Sequence, residues 1–119
     1  MLRGTIDAVG QIYLPIELIP ASGGRATFQA LLDTGFTGSI GIRRALATIV
    51  QWQPHGYVEA ALAHGSEALQ LMLGQVIFDG RQQRVRAVMI TSDDLIIGLS
   101  LLRDKRLVVD FRTGEVALE

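Results

Sequence analysis

The chain has 119 residues, with 11 Lys and Arg against 12 Asp and Glu and a formal net charge of −1, so no global field draws in nucleic acid or anionic lipid. Hydrophobic residues make up 49% and charged ones 19%, which argues against disorder and for one packed domain over residues 1–119. The absence of cysteine excludes a disulfide framework, a thiolate nucleophile and a thiolate metal site.

The first apolar stretch, Ile12 to Pro20, carries Glu17 and two prolines, which is not the plan of a secretory signal. No apolar run approaches the about 18 residues that a bilayer span requires. The expectation is a soluble, cytoplasmic protein with no membrane or nucleic-acid partner. Leu2 to Val9 reads as a first strand. Ile12-Tyr13-Leu14-Pro15-Ile16-Glu17-Leu18 alternates, which places Ile12, Leu14, Ile16 and Leu18 on one buried face. Pro15 has no N–H and predicts an edge position or a bulge there. Ser22-Gly23-Gly24 turns the chain, and Ala26 to Leu32 forms a third strand running straight into Asp33.

Asp33-Thr34-Gly35 is a polar corner between two apolar runs, Ala30 to Leu32 and Ile40 to Ile42. A carboxylate at the end of a buried strand is costly unless hydrogen bonds satisfy it, which marks Asp33 as a candidate site. Gly35, Gly38 and Gly41 are spaced G-x-x-G-x-x-G, which is neither the dinucleotide fingerprint nor a P-loop. Arg43 to Val50 is the best helical segment, about two turns long. Pro54-His55-Gly56 is expected to end the connection after it, and Trp52 to pack in the core.

Tyr57 to Ala63 and Glu67 to Leu73 read as two strands around a hairpin tip at His64-Gly65-Ser66, the second continuing to Phe78. Asp79-Gly80 is a strong hairpin turn, and Arg81 to Ile90 returns. On that run Val85, Ala87 and Met89 share one face. Arg84 and Arg86 mark the other as partly wet. Asp93 and Asp94 fall in a loop. Leu95-Ile96-Ile97 is a short apolar strand stopped by Gly98, and Ser100 is placed to cap a short helix, Leu101 to Lys105. Leu107 to Phe111 and Glu115 to Leu118 are the last strands, joined by a turn at Arg112-Thr113-Gly114. Many strands at short spacing with little helix indicate an all-β fold. His55 and His64 lack the spacing of a metal site, and no cofactor is implied.

Leu31-Leu32-Asp33-Thr34-Gly35, taken with Leu95-Ile96-Ile97-Gly98 and the hairpin around His64, resembles the retropepsin-like aspartic proteases, in the small prokaryotic form. The resemblance covers the chain from about Ile12 to Leu118. It implies a closed, barrel-like all-β domain with one or two short helices. It also implies an aspartic endopeptidase acting on peptide or protein substrates, without metal or other cofactor. One such motif supplies one carboxylate, so the resemblance implies a homodimer in which two Asp33 side chains activate a water. Thr34 and Gly35 then support the carboxylate, and Ile97 and Gly98 pack beneath it. Ala63, His64, Gly65 and Ser66 form a flap over the substrate, and the terminal strands Leu2 to Val9 and Glu115 to Leu118 are candidates for pairing between subunits. The chain departs from the family in carrying Phe36 where Ala or Ser is usual. Leu99 and Ser100 stand where viral members carry a bracing Arg. These departures motivate the alternative of a non-catalytic peptide- or protein-binding module on the same fold.

Overall fold

A computed structural model describes residues 1–119, apart from the side chain of Leu62. Strand β1 (Leu2–Ile6) is shorter than the expected Leu2–Val9. Asp7 ends it: one carboxylate oxygen, Oδ1, accepts from the N–H of Val9 at 3.0 Å and of Gln11 at 2.9 Å. This local turn competes with the ladder and leaves Val9 81% exposed.

The alternating segment forms β2 (Ile12–Ile19), with Leu14, Ile16 and Leu18 buried and Ile12 half-buried. β3 (Ala26–Leu32) occupies the expected residues. Pro15 is not on an edge strand, since it pairs with Gln29 of β3. On its other side β2 changes partner, from β1 at Tyr13 to a later strand from Glu17 onward. Pro15 falls in the gap between the two, where a missing N–H forfeits least.

β4 (Ile40–Arg43) runs directly into helix α1 (Arg44–Val50). Arg43 is extended and belongs to the strand, so the helix begins one residue later than expected. Leu46, Ala47 and Val50 form its buried face, and Gln51 closes it in the left-handed region with φ 52°. Pro54, His55 and Gly56 are not a connection. They lie within β5 (Gln53–Leu62), where the register shifts between Pro54 and Tyr57. The shift lets a strand absorb a proline and a glycine of φ +79°. The hairpin to β6 (Gly65–Phe78) turns at Ala63 and His64, because Gly65 already pairs with Leu62. Gly65 and Ser66 therefore belong to the strand rather than to the tip.

β7 (Arg81–Ile90) follows a tight turn in which Asp79 (φ 52°) and Gly80 (φ 75°) are both left-handed, the geometry that suits the twist of a hairpin. Val85 and Ala87 are buried, and Arg84 and Arg86 are exposed. β8 is only Ile96–Ile97. The helix after it is a 3₁₀ turn at Leu99–Leu102, started by Gly98, not a helix over Leu101 to Lys105 capped by Ser100. The Ser100 hydroxyl is engaged elsewhere, donating to the carbonyl of Thr37 at 2.7 Å. β9 (Leu107–Asp110) and β10 (Glu115–Leu118) complete the chain, with Phe111 outside the strand and exposed.

Six strands close a ring in the order β6, β7, β4, β8, β3, β2, with β2 pairing back to β6 through Leu18 and Val76. β3–β8 and β4–β7 are parallel pairs, and the ring's other pairings are antiparallel. With a two-residue member and mixed directions, this is a ring of strands rather than a regular barrel. Its interior is filled by Leu14, Leu18, Ile40, Val76, Phe78 and Ile97, all fully buried. Trp52 is buried as expected. Its indole N–H donates to the carbonyl of Ile19 at 2.8 Å, and its ring lies against the backbone of Gly74. β1 pairs with β10 within the chain, Leu2 opposite Leu118, so both terminal strands are already partnered; β9 is the free edge beyond them. Among the described residues, no helix is long and apolar enough to cross a membrane.

Candidate active site

At the Asp33 corner two strands meet on a third. β3 enters parallel to β8, with Leu31 opposite Ile96 and Leu32 opposite Ile97. β4 leaves antiparallel to the same strand, with Ile40 opposite Ile97. The loop between them is therefore pinned on both sides by one apolar segment. The N–H of Asp33 donates to the carbonyl of Ile97 at 3.0 Å, and the N–H of Gly98 to the carbonyl of Ser39 at 2.9 Å. The N–H groups of Leu99 and Ser100 reach the carbonyls of Phe36 and Gly38 at 2.9 and 3.2 Å. The two motifs separated by about sixty residues thus meet as the resemblance implies.

Gly98 is glycine because the loop lies on it. A Cβ there would stand 2.2 Å from the Gly38 carbonyl oxygen and 2.7 Å from that of Phe36. The phenyl ring of Phe36 is folded back under its own loop. Its atoms would lie 2.6 Å from a Cβ at Gly38 and 2.6 Å from one at Gly98. The ring thus fills the space that these two glycines leave.

Asp33, Thr34 and Gly35 are exposed on this chain. The Asp33 carboxylate accepts from the N–H of Gly35 at 2.9 Å, which orients it without burying it. The Thr34 hydroxyl has no hydrogen-bond partner among the described residues. Ile97 is fully buried beneath the corner. Asp33 opens onto a cleft of about 830 Å³. Its roof comes from the arms of the β5–β6 hairpin, through Val58, Glu59, Leu69 and Leu71, and its wall from Arg84, Arg86, Val88 and Ile90 of β7. Ala63, His64, Gly65 and Ser66 lie at and beside the hairpin tip and do not line the cleft; the arms do. Sequence reasoning missed these arms and the β7 wall. The available signal was the outer face of β7, where two arginines are followed at the same period by Val88 and Ile90. A face that is basic at one end and apolar at the other is not a plain solvated surface. Among the described residues no three His, Cys, Asp or Glu side chains converge as metal ligands would.

The sequence matches no protein-family model and no curated protein. Solved structures do match. A retropepsin-like aspartic protease from Rickettsia conorii superposes with a TM-score of 0.65 at 13% identity, over 98% of this chain and 87% of that one. The simian foamy virus (mac) protease superposes with a TM-score of 0.52 at 16% identity, over 74% of this chain and 90% of that one. The chain has a retropepsin-like fold. At these identities the likeness is one of architecture, and the chemistry must be argued from the corner itself. In this fold a backbone-oriented carboxylate opens onto the cleft.

Proposed function

We propose that the chain is an aspartic endopeptidase, active as a homodimer, in which Asp33 of each copy supplies one of two catalytic carboxylates. The observation that carries this reading is the exposed Asp33 carboxylate, held by the Gly35 N–H at the floor of the cleft, on a retropepsin-like fold. Two carboxylates brought close together cannot both ionise, so they share a proton. The ionised one takes a proton from a water, and the protonated one polarises the scissile carbonyl. Their titration then belongs to the pair. Thr34 and Gly35 serve as supports, and Ile97 and Gly98 hold the corner from below. The β5–β6 hairpin, with Ala63 to Ser66 at its end, serves as the flap over an extended substrate. The unit is the single domain 1–119, working in the cytoplasm on peptides or proteins without a cofactor.

The test is cleavage of a mixed peptide library between about pH 4 and 7, where a shared-proton pair can work. Asp33→Asn keeps the oxygen that accepts from Gly35 but cannot act as a base. It is expected to lower the rate by about 10²–10⁴-fold with the fold intact, the range that acid–base catalysis of this kind contributes. Activity that survives the change refutes the site. A second reading, a peptide-binding module with one carboxylate per cleft, is favoured by the internal pairing of both terminal strands, which leaves neither free for a partner along the Leu2–Gly4 and Glu115–Leu118 ladders. Sedimentation at several concentrations separates the two, because a monomer at all concentrations cannot assemble the pair.

A further inference from the structure

β7 presents four side chains of one face to the cleft: Arg84, Arg86, Val88 and Ile90. Alternate residues of a strand lie about 7 Å apart, the pitch at which an extended peptide presents its own alternate side chains. The four therefore form a graded wall, basic at one end and apolar at the other. The parallel register fixes where each end lies. Ile40, the first residue of β4, stands opposite Ala87, so Val88 and Ile90 are backed by β4. Arg84 and Arg86 precede that point and flank the residues that lead from the Asp33 loop into the strand. The tip of Ile90 reaches over Gly41, where a Cβ would stand 2.8 Å from its Cδ1. The apolar end is thus packed and the basic end is open.

Neither guanidinium is neutralised by this chain. Among the described residues, no carboxylate lies within 4.0 Å of Arg84 or Arg86, although four other cationic side chains do have such partners. Across β6 their neighbours are Gln75 and Leu73, which carry no charge. The cleft's own carboxylates, Asp33 on the floor and Glu59 on the roof, are also unpaired with them. Two uncompensated guanidiniums in a half-enclosed cleft attract and orient a carboxylate, and each offers the planar fork that binds one bidentately.

We propose that Arg84 and Arg86 select peptides that carry an acidic side chain spaced along an extended backbone from an apolar one, with Val88 and Ile90 receiving the apolar residue. This rests on the reading of the cleft as a peptide site and names the substrate class that site prefers. The wall acts on specificity and takes no part in the chemistry.

The experiment uses matched pairs of fluorescent peptides that differ by one Glu→Gln change. Cleavage is followed with the wild-type chain, and binding by anisotropy with Asp33→Asn. The Glu peptide is expected to be favoured about tenfold at low salt, falling toward parity at 1 M salt, where exposed charges are screened. Arg84→Gln combined with Arg86→Gln is expected to equalise the pair, and Arg86→Glu to turn the preference toward a Lys peptide. Both arginines are exposed, so these changes leave the core untouched. Peptides bound or cut with no difference between Glu and Gln overturn this inference and leave the peptidase reading standing. A Glu preference in binding without cleavage supports the basic wall and overturns the peptidase instead. If no peptide is bound or cut, both fall.

Discussion

Phe36 and Gly38 are expected to act as one interlocked pair, and a double-mutant cycle measures it. In Gly38→Ala the new methyl would lie 2.6 Å from Cζ, 2.9 Å from Cε1 and 3.4 Å from Cε2 of Phe36, and its three nearest neighbours all belong to that ring. On its other side the ring lies against Gly98, where a Cβ would stand 2.6 Å from its Cδ2, so it has little room to move that way. Two responses remain. The loop can tolerate the overpacking, which costs about 1–3 kcal/mol. Alternatively the ring swings out and gives up its half-burial, about 1 kcal/mol. Gly38→Ala is therefore expected to cost about 1–2 kcal/mol, or about 4–8 °C in Tm for a domain of this size. Phe36→Ala removes a half-buried ring and is expected to cost about 2 kcal/mol, less than the 3–5 of a fully buried one. With the ring gone the three atoms nearest the added methyl are gone too, so the double variant should be no less stable than Phe36→Ala alone. The coupling is then about 1–2 kcal/mol, well outside the roughly 0.5 kcal/mol within which independent sites add. Urea unfolding at one fixed protein concentration reads all four stabilities, the fixed concentration being needed because association would shift them. A neutral Gly38→Ala, or two costs that simply add, would show that the ring does not occupy the space assigned to it.

Three further changes test other parts of the molecule. Gly98→Ala meets two backbone oxygens as well as the Phe36 ring, and the oxygens cannot swing aside. It is expected to prise the loop from the 3₁₀ turn, losing up to three hydrogen bonds of about 1 kcal/mol each, whereas Gly41→Ala, which meets only the flexible tip of Ile90 and Ile96 at 3.4 Å, should cost under about 1 kcal/mol by the same urea measurement. Trp52→Phe removes the donor to Ile19 and leaves a carbonyl short of its partner, an expected loss of about 1–3 kcal/mol read as a fall in Tm. The Arg112 guanidinium and its backbone N–H hold the Asp110 carboxyl below the usual carboxylate range. Its folded pKa lies below its unfolded value, so its contribution to stability is complete above the unfolded value, about 4, and is lost as the pH falls through the folded one. In Arg112→Gln the carboxyl resonance of Asp110 should titrate nearer the ordinary value, and this part of the acid dependence should shrink; an unchanged titration would show that the guanidinium is not the cause.

Local signals carried the strands whose partners are local. The alternation of Leu14, Ile16 and Leu18 and the turn chemistry of Asp79-Gly80 each name their structure without reference to the rest of the chain. Leu31 to Asp33 and Leu95 to Gly98 were legible as a pair only through the resemblance, since nothing local in either says that they touch. What could not be read depends on distant partners. Ser100 looks like a helix cap until Thr37 claims its hydroxyl, and Pro15 looks like an edge residue until the switch of partner along β2 supplies the gap. The cleft wall was hidden for the same reason. Arg84 and Arg86 on an outward face read as solvated, and only the arrival of the β5–β6 arms makes that face the side of a half-open cleft.

The corner's geometry also constrains how a second copy would have to meet the first. Leu2 to Gly4 and Glu115 to Leu118 spend their hydrogen-bonding edges on each other, and β10 spends its second edge on β9. Interleaving of those strands between subunits would break existing ladders, so self-association through them gains little. β9 keeps a free edge, and the residues around the loop are uncommitted as well. Asp33, Thr34 and Gly35 are exposed, the Thr34 hydroxyl has no partner among the described residues, and Leu99 is 41% exposed directly after Gly98. Leu99 carries no charge, so an interface here would rest on apolar contact rather than on an ion pair. Apolar contact survives salt, and a surface ion pair does not. If the chain self-associates at the corner, the ionic strength that weakens the proposed acidic-peptide selection by Arg84 and Arg86 should leave that association intact, which lets the two be separated in one titration.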